Sequence, residues 1–173
     1  MENTALALNN QGKDAFQKGD FEKAISLFQQ AVDAHLKAEN PLEAAEAQNN
    51  LSVALLQAER AEESLQAAAG TDNIFKEAGD ILRQAMALGN QAAALDTLGK
   101  TEEALSLYQE AVKLFDEVGE DDLKAIVLKS IAGIKLRKGK VQDSAMDMLD
   151  SLGATQKPTF FQRILKFFLR FIR

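Results

Sequence analysis

Gly19-Asp20-Phe21-Glu22-Lys23-Ala24 returns along the chain as Glu59-Arg60-Ala61-Glu62-Glu63-Ser64, then as Gly99-Lys100-Thr101-Glu102-Glu103-Ala104, then as Gly139-Lys140-Val141-Gln142-Asp143-Ser144, at a spacing of forty each time. Asn10, Asn50 and Asn90 keep that spacing, with Ser130 in the fourth row. So do Ala45, Ala85 and Ala125, and the pairs Gly79-Asp80 and Gly119-Glu120. Self-similarity at a fixed period of this size is the signature of a repeat architecture. The rows fall near 1–40, 41–80, 81–120 and 121–152, so a repeat domain spans 1–152.

Ala, Leu, Glu, Gln and Lys fill the rows, only two prolines occur, and β-branched or aromatic runs are nearly absent before Thr159. That composition predicts an all-α fold. Each row reads as two helices joined by a tight turn, near 3–18 and 21–38, 42–58 and 61–78, 81–98 and 101–118, and 121–138 and 141–152. Asn40-Pro41 fits the capping residue and first position of the third helix, and Gly19, Gly99 and Gly139 suit left-handed caps between helices. Within 61–78, Gly70-Thr71-Asp72-Asn73 sets four poor helix formers in succession, which predicts a kink or an early stop. A lone helix pair cannot bury its own apolar face, so pairs stack into a curved solenoid with an extended groove.

The first row resembles the tetratricopeptide repeat (TPR) through Asn10-Gln11-Gly12, Ala15, Gly19-Asp20-Phe21, Ala24-Ile25, Phe28 and Ala31-Val32. The third matches nearly as well through Asn90, Leu95, Gly99, Ala104-Leu105, Tyr108 and Ala111, whereas Ser64, Ala68 and Thr71 depart from the pattern in the second. A period of forty is similar to the long-repeat variant of that family. The resemblance implies a right-handed superhelical solenoid of four helix pairs, with first helices lining a groove that binds a protein or peptide. It places Asn9, Asn10 and Lys13 on the groove from row one, Asn49, Asn50 and Val53 from row two, Met86 and Asn90 from row three, and Lys129, Leu136 and Arg137 from row four. An asparagine amide both donates and accepts. Asn10, Asn50 and Asn90 at one-repeat intervals therefore either pair with the backbone of an extended ligand or bond to a neighbouring helix.

The chain has no Cys and no Trp, and His35 is its only histidine. Disulfides and Cys/His metal sites are thereby excluded, and a Ser-His-Asp arrangement has only His35 to build on. His35 itself reads as a helix-end or surface residue. Glu62-Glu63, Glu102-Glu103 and Asp121-Asp122 are first-turn charges favoured by the helix dipole rather than acid/base pairs. No phosphate-binding glycine loop or metal-ligand cluster occurs, so a protein that is not an enzyme, with no cofactor, is expected. The amino end has neither the cations nor the apolar stretch of a signal peptide, and no segment reaches the roughly 20 apolar residues that span a bilayer. A cytoplasmic protein is the simplest expectation.

The carboxyl end differs from everything before it. Residues 153–158 read as a linker, and Thr159 with Gln162 forms a capping box opening a helix over 159–173. Phe160, Phe161, Ile164, Leu165, Phe167, Phe168, Leu169, Phe171 and Ile172 would cover about 200° of that helix. Arg163, Lys166, Arg170 and Arg173 would fall within an arc of roughly 80°. Residues 157–173 carry +5 with no acid, which leaves 15 cations against 26 acids, −11, in residues 1–156. Such a body repels nucleic acid, and only the tail attracts an anionic membrane. Three roles fit the tail: capping the solenoid as the start of a fifth row, docking a partner or a second copy of the chain, and insertion at a membrane interface. Leu165 stands where the rows have Ala45, Ala85 and Ala125, and the polar arc is narrow, which favours the membrane over the cap.

Overall fold

The computed structural model describes the backbone of residues 2–153 and the side-chain surroundings of residues 4–140. The expected helix at 159–173 lies outside the described residues. Eight helices follow in order: α1 (Glu2–Gln17), α2 (Phe21–Lys37), α3 (Pro41–Gln57), α4 (Ala61–Ala68), α5 (Thr71–Glu77), α6 (Ile81–Thr97), α7 (Thr101–Val118) and α8 (Asp121–Gly153). Residues 1–131 form one compact unit and residues 132–173 a second. In the first unit α1 packs on α2, α2 on α3, α3 on α4 and α5, both of these on α6, and α6 on α7, and the first helices α1, α3 and α6 also touch in series. The described fold is all-α, a TPR-like solenoid.

Its turns keep time at twenty residues, half the sequence period. Gly19, Glu39, Glu59, Gly79, Gly99 and Gly119 all have positive φ, between 56° and 78°. Just after each, the N–H of Asp20, Asn40, Arg60, Asp80, Lys100 or Glu120 donates to the carbonyl five residues back, at 2.9–3.0 Å. This six-to-one bond is the Schellman closure of a helix end. The accepting residues are Ala15, His35, Leu55, Phe75, Leu95 and Phe115, and all six are buried. Each turn is thus pinned by a side chain inside the core.

The fourth row departs from the expected pair. Gly139 stands in the register of Gly99, yet α8 runs through it without a turn, and Gly139 has no positive φ. The residue in the register of Leu95 and Phe115 is Lys135, and it is exposed. With no buried anchor to close a turn upon, a single helical glycine costs only about 1 kcal/mol, and the helix continues.

Row two carries the opposite change, an extra break. After Ala68 the backbone turns extended at Ala69 (ψ 124°) and left-handed at Gly70 (φ 77°), where the sequence predicts a stop. The carbonyl freed at Ala68 is not left bare. Gln91 of α6 donates to it at 3.2 Å and to Asp72 Oδ1 at 2.7 Å, and the Thr71 hydroxyl lies 2.8 Å away. That hydroxyl is also 3.0 Å from Asn49 Oδ1. Satisfying these buried groups matters, because each one left alone costs about 1–3 kcal/mol.

Between the helices the core is a stripe of small residues with single aromatics set into it. Ala5, Ala45 and Ala85 are fully buried, as are Ala24 and Ala104. Phe28 packs with Ala15, Ala24, Leu51, Ala54 and Leu55, and Phe75 with Ala45 and Ala87. His35, expected at a helix end or on the surface, is at the end of α2 but 4 % exposed, with its Nδ1 unpartnered. It fills the register that Phe75 and Phe115 fill in the next rows, so packing geometry overrides its polarity.

Gly12 lies against the Phe28 ring. A Cβ there would meet Phe28 Cε1 at 2.6 Å, whereas Ser52 and Ala92 occupy the same register opposite Ala68 and Tyr108. Phe28 is 2 % exposed and has nowhere to retreat. Gly12→Ala is expected to lower unfolding stability by about 1–3 kcal/mol, read by urea denaturation of the full chain, although alanine is the better helix former.

Candidate functional site

Two clefts open on the side of the first helices, and they occupy matching places in the repeat. The first is bounded by Lys13, Phe16 and Gln17 of α1, Asn50 and Val53 of α3, and Phe28 of α2 beneath them; its volume is ≈ 230 Å³. Adding eighty residues to Lys13, Phe28 and Asn50 gives Ala93, Tyr108 and Ser130. All three line the second cleft, of ≈ 240 Å³, together with Met86, Gly89, Asn90, Phe115, Leu123, Ile126 and Val127. Each cleft has a buried aromatic from a second helix as its floor and two first helices as its walls.

Their chemistry differs. Lys13, Gln17 and Asn50 give the first cleft a polar rim, whereas Met86 and Ile126 stand 42 % and 62 % exposed at the second. Leu6, in the register of Met86 and Ile126, is 53 % exposed as well. The apolar series Leu6, Met86, Ile126 is broken at its second rung by Glu46.

Glu46 joins three first helices. It takes an ion pair from Lys13 of α1 at 3.1 Å and another from Arg83 of α6 at 3.2 Å. Arg83 also donates to Asp80 Oδ2 at 2.6 Å and lies 5.2 Å from the Phe75 ring centroid. Burial alone would push the Asp80 carboxyl up, but the bonds from the Arg83 N–H and guanidinium hold it below the ordinary carboxylate range. Half-exposed pairs of this kind contribute well under 1 kcal/mol each. Their greater effect is to fix the spacing of α1, α3 and α6.

The structure sorts the residues expected on the groove. Lys13, Asn50 and Val53 come together in the first cleft, and Met86 and Asn90 in the second. Asn9 and Asn49 do not face a ligand, because both are buried. Asn9 Oδ1 accepts from Asn50 at 3.1 Å and Asn49 Oδ1 lies by Thr71, so these amides join helices to one another. Asn10 and Lys129 are exposed on α1 and α8. Leu136 and Arg137 are exposed too, on the part of α8 in the second unit. The floors Phe28 and Tyr108 and the wall residue Ser130 carry the repeat's own spacing, and that spacing was the signal that could have found the clefts.

Residues 9–74 match the tetratricopeptide repeat family. This part of the chain carries the tetratricopeptide repeat. Residues 82–133, which include every lining residue of the second cleft, match the MIT (microtubule interacting and transport) domain. Among solved structures, the chain is similar to the N-terminal domain of stress-induced protein-1 from C. elegans, at 18 % identity and a TM-score of 0.60, over 78 % of this chain and 97 % of that one. It is also similar to the nearly identical TPR-like repeats of a Podosopora anserina protein assigned as a kinesin light chain, and to a variant of them. These match at 16 % identity and TM-scores of 0.68 and 0.69, over 91 % of this chain and 79 % of those. No curated protein matches the chain in sequence. Such a scaffold works by protein–protein interaction. Among the described residues, no helix is long and apolar enough to cross a membrane.

Gly89 sits in the middle of α6, where glycine costs about 1 kcal/mol relative to alanine, and core packing gives no reason for it. A Cβ at that position would meet only Val127 Cγ2, at 4.0 Å. What the missing methyl leaves open is the second cleft. Gly89→Ala should therefore raise unfolding stability by about 0.5–1 kcal/mol while narrowing the cleft, as read by thermal melting and by binding of a partner to the second cleft.

Proposed function

We propose that this protein is a non-enzymatic adaptor that holds a segment of a protein partner along its first helices and is itself held at an anionic membrane surface by residues 159–173. The carrying observation is the pair of matching clefts, each floored by an aromatic and walled by Lys13, Asn50 and Val53 or by Met86, Asn90 and Ile126. Asn10 and Lys129 extend the first-helix surface beside them, and Leu136 and Arg137 follow on α8. Clefts of 230–240 Å³ fall short of the roughly 300–1,000 Å³ typical of small-molecule sites, and suit side chains of a bound chain.

The membrane half of the proposal rests on the tail's sequence. Full burial of a Leu- or Phe-sized side chain contributes roughly 1.5–3 kcal/mol, and nine such residues in 159–173 outweigh the ordering of a short helix even when half buried. Each Lys or Arg near an anionic leaflet adds about 1 kcal/mol. The charge division also supports a second reading, in which the +5 tail docks on the −11 body of a second copy or on a partner helix.

Flotation separates the two. The full chain should float with vesicles of anionic lipid, less so as salt rises, and a chain ending at Gln156 should stay in solution. Equal behaviour of both chains contradicts the membrane role, and a mass that grows with concentration in plain buffer supports the second copy. Capture of a protein partner should survive loss of the tail and fall for Val53→Asp and Ile126→Asp.

A further inference from the structure

Val127, Ile131 and Ile134 are the buried side of α8, and the opposite side is bare. On α6, where α7 returns alongside, Ala85, Leu88, Ala92 and Leu95 are all buried. Forty residues on, Ala125, Leu128, Ala132 and Lys135 are all exposed. The reason is that α8 runs through Gly139 to Gly153, and no second helix turns back over them. Leu128 is 45 % exposed, and Leu136 beside it 60 %. We infer that a second copy of the chain covers this face, its α8 lying antiparallel to the first about a two-fold axis at Gly139.

The sign of the charge along the helix selects the second copy. Residues 123–140 carry six cations and no acid, whereas residues 141–153 carry three acids and no cation. Lys124 is taken by Asp116, but Lys129, Lys135 and Lys140 make no ion pair among the described residues. At 3.6 residues per turn, Ala125, Lys129, Ala132 and Leu136 share an arc of about 60° with Asp143, Asp147 and Asp150. One face is therefore apolar and basic first, then acidic. A parallel copy sets like charges together. An antiparallel copy sets the basic part of each helix against the acidic part of the other, and does so twice by symmetry. With the axis at Gly139, Lys129 lies opposite Asp150 and Lys135 opposite Asp143, and the two helices overlap for about 40 Å.

Other occupants suit only half of this face. Residues 159–173 carry four cations and no acid, so the tail is repelled from the basic part. An anionic lipid surface is repelled by the three aspartates. Gly139 points to the same contact as the charges do. A glycine inside a helix is destabilising, and a Cβ there would meet nothing within 4 Å, so the fold of one copy gives no reason for it. On the axis, the missing side chain of each copy lets the two backbones approach.

Sedimentation equilibrium of the full chain tests this, and the parent should pass from dimer to monomer on dilution. Lys129→Glu with Lys135→Glu makes the face acidic throughout, and Asp143→Lys with Asp150→Lys makes it basic throughout. Each pair should weaken self-association at least about tenfold, and an equimolar mixture of the two variants should dimerise as the parent does. Gly139→Leu should weaken it by a similar factor, with the helix content of the dilute monomer no lower than the parent's. A parent that stays monomeric up to about 100 μM overturns the inference. So does a dimer unmoved by either charge pair, as tail docking would give, a mixture that fails to pair, or full-strength pairing by Gly139→Leu. The groove reading is judged separately, by partner capture with Val53→Asp.

Discussion

Every twentieth residue of the first unit depends on one arrangement: a left-handed residue, an N–H donated five residues back, and a buried side chain on the accepting residue. Ala15, His35, Leu55, Phe75, Leu95 and Phe115 hold six turns in this way. Because the closure recurs at equal intervals, α1, α2, α3, α6 and α7 all come out at 16 to 18 residues and first helices meet first helices. The matching clefts follow directly, since Phe28 and Tyr108 sit at the same height on the second helices of rows one and three. Where the anchor is Lys135 the turn is lost and α8 runs on.

Row two shows how much variation this frame absorbs. Replacing the floor aromatic by Ala68 removes apolar volume, and Gly70 stops the helix one residue after Ala69. Gln91 and Thr71 take up the freed carbonyl, and α5 then brings Phe75 back to the register of His35 and Phe115. The row therefore keeps its outer turns at 59 and 79 while giving up its own cleft floor. The result is a groove with an apolar seat at either end and an ion-paired rung, Lys13–Glu46–Arg83, between them.

Much of this was legible in the residues, and what was not has a physical cause. The forty-residue period and the stop near Gly70 follow from side chains with strong local preferences, whereas Asn40, which reads as a cap, makes no side-chain capping bond. The twenty-residue period was hidden because Glu39 and Glu59 take left-handed positions where glycine would have announced them. Gly139-Lys140 reads like Gly99-Lys100, and only the exposed Lys135 separates a turn from a continuous helix; burial of a residue five positions upstream is not a local signal. His35 and Asn9 look polar and outward on their own, but the register that aligns His35 with Phe75 shows where the stack places it. Asn49 is likewise drawn inward by Thr71, a partner twenty-two positions away.

Hydrogen exchange at single-residue resolution tests the turn mechanism most directly. The amides of Asp20, Asn40, Arg60, Asp80, Lys100 and Glu120 lie just outside helices, where a loose connection would let them exchange freely. Closed on buried anchors, they should be protected with opening free energies matching those of the helix interiors of residues 4–131, and lose protection together with them. Exchange of these six amides at unprotected rates while the helix interiors stay protected would contradict the account.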